Sequence, residues 1–244
     1  MKKNLLSSLI AMFSVNILLA QIVVFSPVKV EQNDIEQFLN VEMNYSKKIA
    51  QDAVNNGKLL GWVLMQNTNV GPDDYNFMWV NAYPTIEIAA NENAWWSHSE
   101  KVVGIKPDVL FSDSSKYKYD RSYTYKMQMS IPNKGPAAYV ILNFATPDDV
   151  NAVAASSKKY VIPHFKKNMS DNGMVGWGMA TKITPQGQEY SSMMTYDSYD
   201  SLKNAMKHLA GEGIIEGLPM DKLTKVTWEM RPIMKVISST TEKD

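Results

Sequence analysis

NNGKLLGW, from Asn55 to Trp62, returns in the same chain as DNGMVGW, from Asp171 to Trp177. A similarity repeated at this separation is the mark of two alike half-domains in one polypeptide. Reading outward, each copy follows a long amphipathic segment and precedes a pair of strand-like runs. Ile22 to Val30 reads as a strand rich in β-branched residues. From Asp34, the apolar positions Ile35, Phe38, Leu39, Ile49, Ala50 and Ala53 recur at threes and fours, which predicts a helix ending at Asn56-Gly57. Strands are expected over Leu59 to Gln66 and Tyr75 to Ala82, joined by the turn residues Gly71-Pro72-Asp73-Asp74. A second helix over Pro84 to Trp96 and a closing strand over Tyr123 to Met129 complete the unit.

Pro132-Asn133-Lys134-Gly135-Pro136 breaks the pattern, and the order then starts again. Ala138 to Phe144 reads as a strand, and Thr146-Pro147-Asp148-Asp149 opens a helix running to about Ser170. Met174 to Ile183 and Tyr190 to Tyr196 form a hairpin, Tyr199 to Leu209 a helix, and Lys225 to Met230 the last strand. Each half therefore reads β-α-β-β-α-β, the ferredoxin-like order. The halves span 21–131 and 137–236, with an insertion between Glu100 and Asp120 and a flexible tail over 237–244. The expected class is α+β, with two ferredoxin-like repeats.

Lys2 and Lys3 precede an apolar run from Leu5 to Leu19, and Ala20 offers a small residue for cleavage. This reads as a signal peptide over 1–20, shorter than the roughly 20 apolar residues that a spanning helix needs. The expected destination is secreted or periplasmic. With no cysteine there is no disulfide, thiolate nucleophile or lipid-attachment site. About 220 residues remain, enough to bury a core without staples. The 25 basic residues balance the 25 acidic ones, so there is no concentrated basic surface to neutralise phosphates and nucleic acid is not an expected partner. There is no Gly-rich phosphate loop, HExxH helix or GxSxG elbow, and no metal-site spacing.

Trp62-Val63-Leu64-Met65 and Phe77-Met78-Trp79-Val80 are apolar without alternation, so both faces of these strands must be covered. The cover expected for the second face is the other half's sheet. With the duplication and the Asn-Gly/Gly-Trp spacing, this arrangement resembles the dimeric α/β-barrel superfamily, which includes the antibiotic-biosynthesis-monooxygenase-like, NIPSNAP-like and chlorite-dismutase-like families. The resemblance implies a pseudo-dimeric barrel made by one chain, its halves packed sheet to sheet; it carries no catalytic signature.

The closing strands are where polar groups could converge. On the last strand Val226, Trp228 and Met230 are expected to pack on helices, aiming Glu229 and Arg231 between the sheets. The first half offers Lys126 and Gln128 in the same way, opposite Tyr123, Tyr125 and Met127. Asn143, Trp62 and Trp177 complete a candidate site for a small apolar ligand between the sheets. The alternative is an edge strand whose charges stay wet. A second function class is a cofactor-free or haem-dependent monooxygenase-like enzyme, with Asn143, Trp177, His208 and Arg231 as candidate catalytic residues. Haem enters only through the resemblance, in which some haem-degrading relatives use a histidine near the position of His208 as the iron ligand. A third class is a non-catalytic structural module, and a homo-oligomer is compatible with all three.

Overall fold

The computed structural model describes residues 22–91 and 94–241, and the expected signal peptide over 1–20 lies outside them. β1 (Ile22–Lys29) leads into α1 (Ile35–Val41) and α2 (Lys47–Asn55), which are continuous through a π turn at Glu42–Ser46. β2 (Gly61–Asn67) and β3 (Phe77–Tyr83) follow. Then come short pieces, α3 (Ile86–Ala89), α4 (Ser99–Val103), α5 (Pro107–Leu110) and β4 (Lys118–Tyr119), before β5 (Tyr123–Ile131). The second half has β6 (Tyr139–Ala145), then α6 (Val150–Ser156) and α7 (Ile162–Asn168) joined by another π turn, Ser157–Val161. β7 (Met174–Thr184), β8 (Met193–Tyr199), α8 (Leu202–Leu209), β9 (Trp228–Met230) and β10 (Ile233–Ser239) complete the chain.

The repeated Asn-Gly pairs are helix stops. Gly57 and Gly173 have φ of +72° and +63°, a left-handed conformation that glycine adopts without a Cβ penalty. Lys58 N donates to Ala53 O at 2.8 Å and Met174 N to Met169 O at 2.9 Å, each closing a Schellman cap before the Gly-Trp strand begins.

Eight strands close into an antiparallel barrel in the order β10-β2-β3-β1-β5-β7-β8-β6, with β6 returning to β10. Within it the first half contributes β2-β3-β1-β5 and the second β7-β8-β6-β10, with β5 beside β7 and β10 beside β2. Closure removes exposed edges. The lumen is filled by one cluster to which all eight strands contribute, among them Phe25, Val63, Tyr125, Leu142, Met194 and Met234. α1 and α2 cover the outer face of the first half around Phe38, Ile49 and Trp62, and the second-half helices cover theirs around Val153, Phe165 and Trp177.

Three expectations need correcting. The closing strand is β10, not Lys225 to Met230, of which only Trp228–Met230 pairs briefly with β6. Pro232 has no N–H for a ladder, so it separates the two pieces. Residues 237–239, expected in a flexible tail, are therefore strand, and Thr240 beyond them is buried, its Oγ1 accepting from Trp62 N at 3.0 Å. Among the described residues the helix expected over 84–96 is only Ile86–Ala89, with a 3-10 turn at Trp95–His98. Ile86 there is 49% exposed, and a helix without a buried stripe gains little from packing. Finally, the parity of the closing strands is reversed. Tyr125 faces the lumen with Tyr123 and Met127 packed against the same cluster, while Lys126 and Gln128 are exposed outside. The lumen of a closed barrel is its driest surface, so it takes the apolar set.

Candidate functional site

The parity that sends Val140, Leu142 and Phe144 into the lumen turns Asn143 outward, beneath the helices. There it floors a cavity of about 550 Å³ between the second-half sheet and α6, α7 and α8. Asn143 pairs in register with Thr195 on β8, and Trp177 on β7 with Asp197, so three strands present these four side chains on one surface. Val153, Val161, Phe165, Val226 and Trp228 supply apolar walls. Phe165 meets Trp177 edge to face at 6.2 Å.

A single hydrogen-bonded chain crosses the floor. Asn143 Nδ2 donates to Thr195 Oγ1 at 3.0 Å and also to Asp197 Oδ2. Its Oδ1 accepts from Arg231 Nε at 2.6 Å. Arg231 Nη2 lies 3.2 Å from His208 Nε2, and His208 Nδ1 lies 2.5 Å from the Tyr199 hydroxyl. A guanidinium has no acceptor, so Nε2 must accept and the His208 proton resides on Nδ1, donating to Tyr199. Burial holds the His208 pKa below its ordinary value, Asp197 opposes that and Arg231 reinforces it. Burial also lowers the Arg231 pKa, partly offset by Asp197 and Tyr199. Asn143 stands between the Arg231 cation and the Asp197 carboxyl, which spreads their attraction over two bonds. Two of the five Arg231 N–H donors are used in this chain, and its guanidinium lies 5.8 Å from the Trp228 ring centroid.

The structure thus brings Asn143, Trp177, His208 and Arg231 into one cavity and leaves other candidates out. Glu229 is exposed and accepts from Ser191 Oγ, and Ser191 with Thr146 lowers its pKa. Gln128 donates to Thr181 Oγ1 at 2.7 Å on the surface. Met230, expected on the helices, is 55% exposed, whereas Val226 and Trp228 do face them. Trp62 lines a different cavity in the first half. Neither cavity lies between the sheets, because side chains fill that space. Asp197 and Tyr199 are not among the sequence candidates; with Thr195 they form a T-x-D-x-Y alternation that places three polar groups on one face of the strand, and that is their signal.

The first-half cavity, about 360 Å³, lies between the sheet and α1, with residues 95–122 as its outer wall. Its floor has the same register: Ser26 faces Trp79, and Trp62 faces Asn81. Glu42, in the π turn, is buried there and accepts from Trp79 Nε1 at 2.9 Å. Its pKa is pushed up to about 7 by burial, opposed by the Trp79 hydrogen bond and by the nearby Ser46 hydroxyl, which falls short of full hydrogen-bond geometry. Among the described residues no group of three or more His, Cys, Asp or Glu is placed to hold a metal ion, and no helix is long and apolar enough to cross a membrane.

No family model matches the chain, and no curated protein matches it. Solved structures do. The "putative monooxygenase" proteins of Lactobacillus acidophilus and Fusobacterium nucleatum each superpose with a TM-score of 0.58, at 12% and 11% identity. Each match covers 92% of this chain, and 97% and 95% of theirs. A chlorite dismutase variant from Candidatus Nitrospira defluvii, in complex with cyanide, superposes at 0.53 with 8% identity, covering 90% of this chain and 92% of that one. The chain is an α+β protein with the ferredoxin-like α/β-barrel fold of these neighbours. At such identities the likeness establishes the fold and nothing of the chemistry.

Proposed function

We propose that the second-half cavity binds a small, mainly apolar molecule bearing an acidic oxygen, a carboxylate, phenol or enol, which pairs with Arg231. The observation that carries this is a guanidinium on a polar floor beneath mainly apolar walls, with three of its five donors uncommitted among the described residues, a pattern of apolar walls with a few convergent polar groups. The matching strand orders of the halves support reading the barrel as a tandem pseudo-dimer in which the second half carries this site. Secretion through the leader belongs to the same reading. The test is quenching of tryptophan fluorescence by 2-naphthoate, with uncharged 2-methylnaphthalene as the control. Saturable binding of the acid, weakened about tenfold or more in Arg231→Gln, supports the proposal. Equal binding of both compounds, or an unchanged Arg231→Gln, refutes it.

One observation favours a second, enzymatic reading, in line with the monooxygenase neighbours: His208 is held neutral with an accepting Nε2. A hydroquinone could hand one proton to Nε2 while its oxygen takes over Arg231, and the anion so formed could pass two electrons to dioxygen, leaving the quinone and, with both phenolic protons, hydrogen peroxide. Oxygen uptake with a hydroquinone substrate, lost in His208→Ala, is the readout. Haem fits less well. Tyr199 holds His208 Nδ1 as the partner of a ligating histidine should, but Arg231 caps Nε2 at 3.2 Å, placing a cation where iron would stand. A Soret band on the purified protein would reverse that order.

A further inference from the structure

We propose that the first-half cavity is a separate ligand site and that it takes an organic ammonium ion, an amine on an aromatic or aliphatic body. The inference does not rest on the reading of the second-half cavity.

Charge is the first ground. Among the described residues Glu42, Asp113 and Asp120 line the cavity and no Lys, Arg or His does; Asp113 pairs with Lys116 at 2.7 Å and Asp120 lies 3.8 Å from Arg121, which leaves Glu42 as the uncompensated acid. Glu42 is the deepest of the three at 5% exposed, and among the described residues it forms no ion pair. A buried carboxyl without a cation is costly when ionised, and a ligand cation is the natural relief.

An unsatisfied acceptor is the second ground. Asn81 is 8% exposed, lines the cavity, and its Oδ1 has no hydrogen-bond donor among the described residues. Buried polar atoms in native proteins are nearly always paired, so a bare carbonyl oxygen on a cavity wall asks for an N–H or O–H from what enters. The Ser46 hydroxyl, 3% exposed on the same wall, lies beside the Glu42 carboxyl short of full hydrogen-bond geometry, with its oxygen free to accept. Both atoms can accept, and an ammonium offers up to three donors and no acceptor; the remaining bare wall atom, Trp95 Nε1, is a donor set toward the Tyr83 hydroxyl.

The third ground is the rings. Trp79 stacks on Tyr119 at 6.0 Å and 16°, and Phe38 meets Trp79 at 5.7 Å and Tyr117 edge-on at 5.4 Å. Trp95 and Trp96 face the same space. Negative ring faces around a carboxyl attract a cation more than a neutral guest of the same shape. The π turn at Glu42–Ser46 supplies both Glu42 and Ser46 to the cavity, and such irregular turns often occur where a helix serves a site.

The experiment is calorimetric titration of the full chain near pH 8 with 2-phenylethylammonium, against 2-phenylethanol and phenylacetate. The ammonium is expected to bind about tenfold or more tighter than the alcohol, with phenylacetate weakest. Glu42→Gln should abolish the preference for amine over alcohol while leaving alcohol binding in place. Should that variant fail to fold, Asn81→Leu, which removes the bare acceptor together with the amide N–H groups, should weaken the amine severalfold. No heat from the amine at millimolar concentration, or equal binding of amine and alcohol to the native chain, would overturn the proposal. So would a preference for amine that survives both substitutions.

Discussion

Arg231 Nη2 sits 3.2 Å from His208 Nε2, a contact in which the imidazole can only be the acceptor. Protonating His208 would set two cations face to face in a buried site. The imidazole should therefore titrate below its ordinary 6.5, and by linkage its contribution to stability is present above that pH and is lost as pH falls toward the folded-state value. Arg231→Gln should move the midpoint up, and Asp197→Asn should move it down, since the carboxylate favours the charged ring. Following the His208 ring resonances by NMR across pH 4 to 8 checks both signs. A midpoint indifferent to Arg231 would mean that the contact does not persist in solution.

Barrel closure depends on β10, so its lumen residue Met234 should matter more than the sequence suggests. Met234→Ala leaves a void in the shared cluster and is expected to cost about 2–5 kcal/mol in urea unfolding. Lys126→Ala, at a position that the sequence placed in the ligand site, is exposed and should change stability by about 0.5 kcal/mol or less. If the two variants unfold alike, β10 is not part of the cooperative unit.

The two repeated Asn-Gly caps should differ in their tolerance of a side chain. Gly57→Ala meets nothing within 4 Å and should cost about 1–2 kcal/mol for the left-handed backbone alone. At Gly173 a Cβ would lie 2.0 Å from Asn204 Nδ2 and 2.5 Å from Asp200 Oδ1, two atoms that hydrogen-bond to each other at 2.8 Å. Gly173→Ala should therefore cost more than Gly57→Ala in the same urea assay.

These caps also show why so much of the fold was legible. Asn-Gly and Gly-Trp are local signals, and the left-handed glycine and the strand start they encode are decided within a few residues. Unbroken apolar runs such as Trp62 to Met65 announced two covered faces, and the barrel supplies them with a filled lumen on one side and helices on the other. Whether Asn143 points in or out is not local. It follows from which surface the closed barrel dries most, and that depends on β10, whose sequence IMKVISS carries no turn or cap to distinguish it from a tail. Hence the residues Asn143, Trp177, His208 and Arg231 were named together, while their cavity was placed on the wrong side of the sheet. His208 could be read as a surface residue because its neighbour Lys207 is solvent-like, yet the last turn of α8 buries it to 7% exposure against Tyr199. In the first half the bulky wall from residue 95 to 122 has no periodicity, so the cavity it completes around Glu42 had no sequence signature.

Glu42 gives the opposite pH signature to His208. Its carboxyl is raised from 4.5 to about 7, chiefly by burial, so the folded state holds a proton that the unfolded chain releases at lower pH. That contribution is fully present below about pH 4.5 and falls away as pH rises, until both states are ionised above about pH 7. A shift of this size corresponds to about 3 kcal/mol. The titratable neighbours Tyr117 and Tyr119 have raised pKa values and stay neutral throughout, so they do not blur the window. Glu42→Gln keeps the shape and the hydrogen-bonding capacity toward Trp79 but removes the proton. Urea unfolding of both proteins between pH 4.5 and 7.5 should show the native chain losing about 3 kcal/mol relative to the glutamine variant. Parallel profiles would show that Glu42 reaches water, and with that the electrostatic demand for a cation in its cavity would disappear.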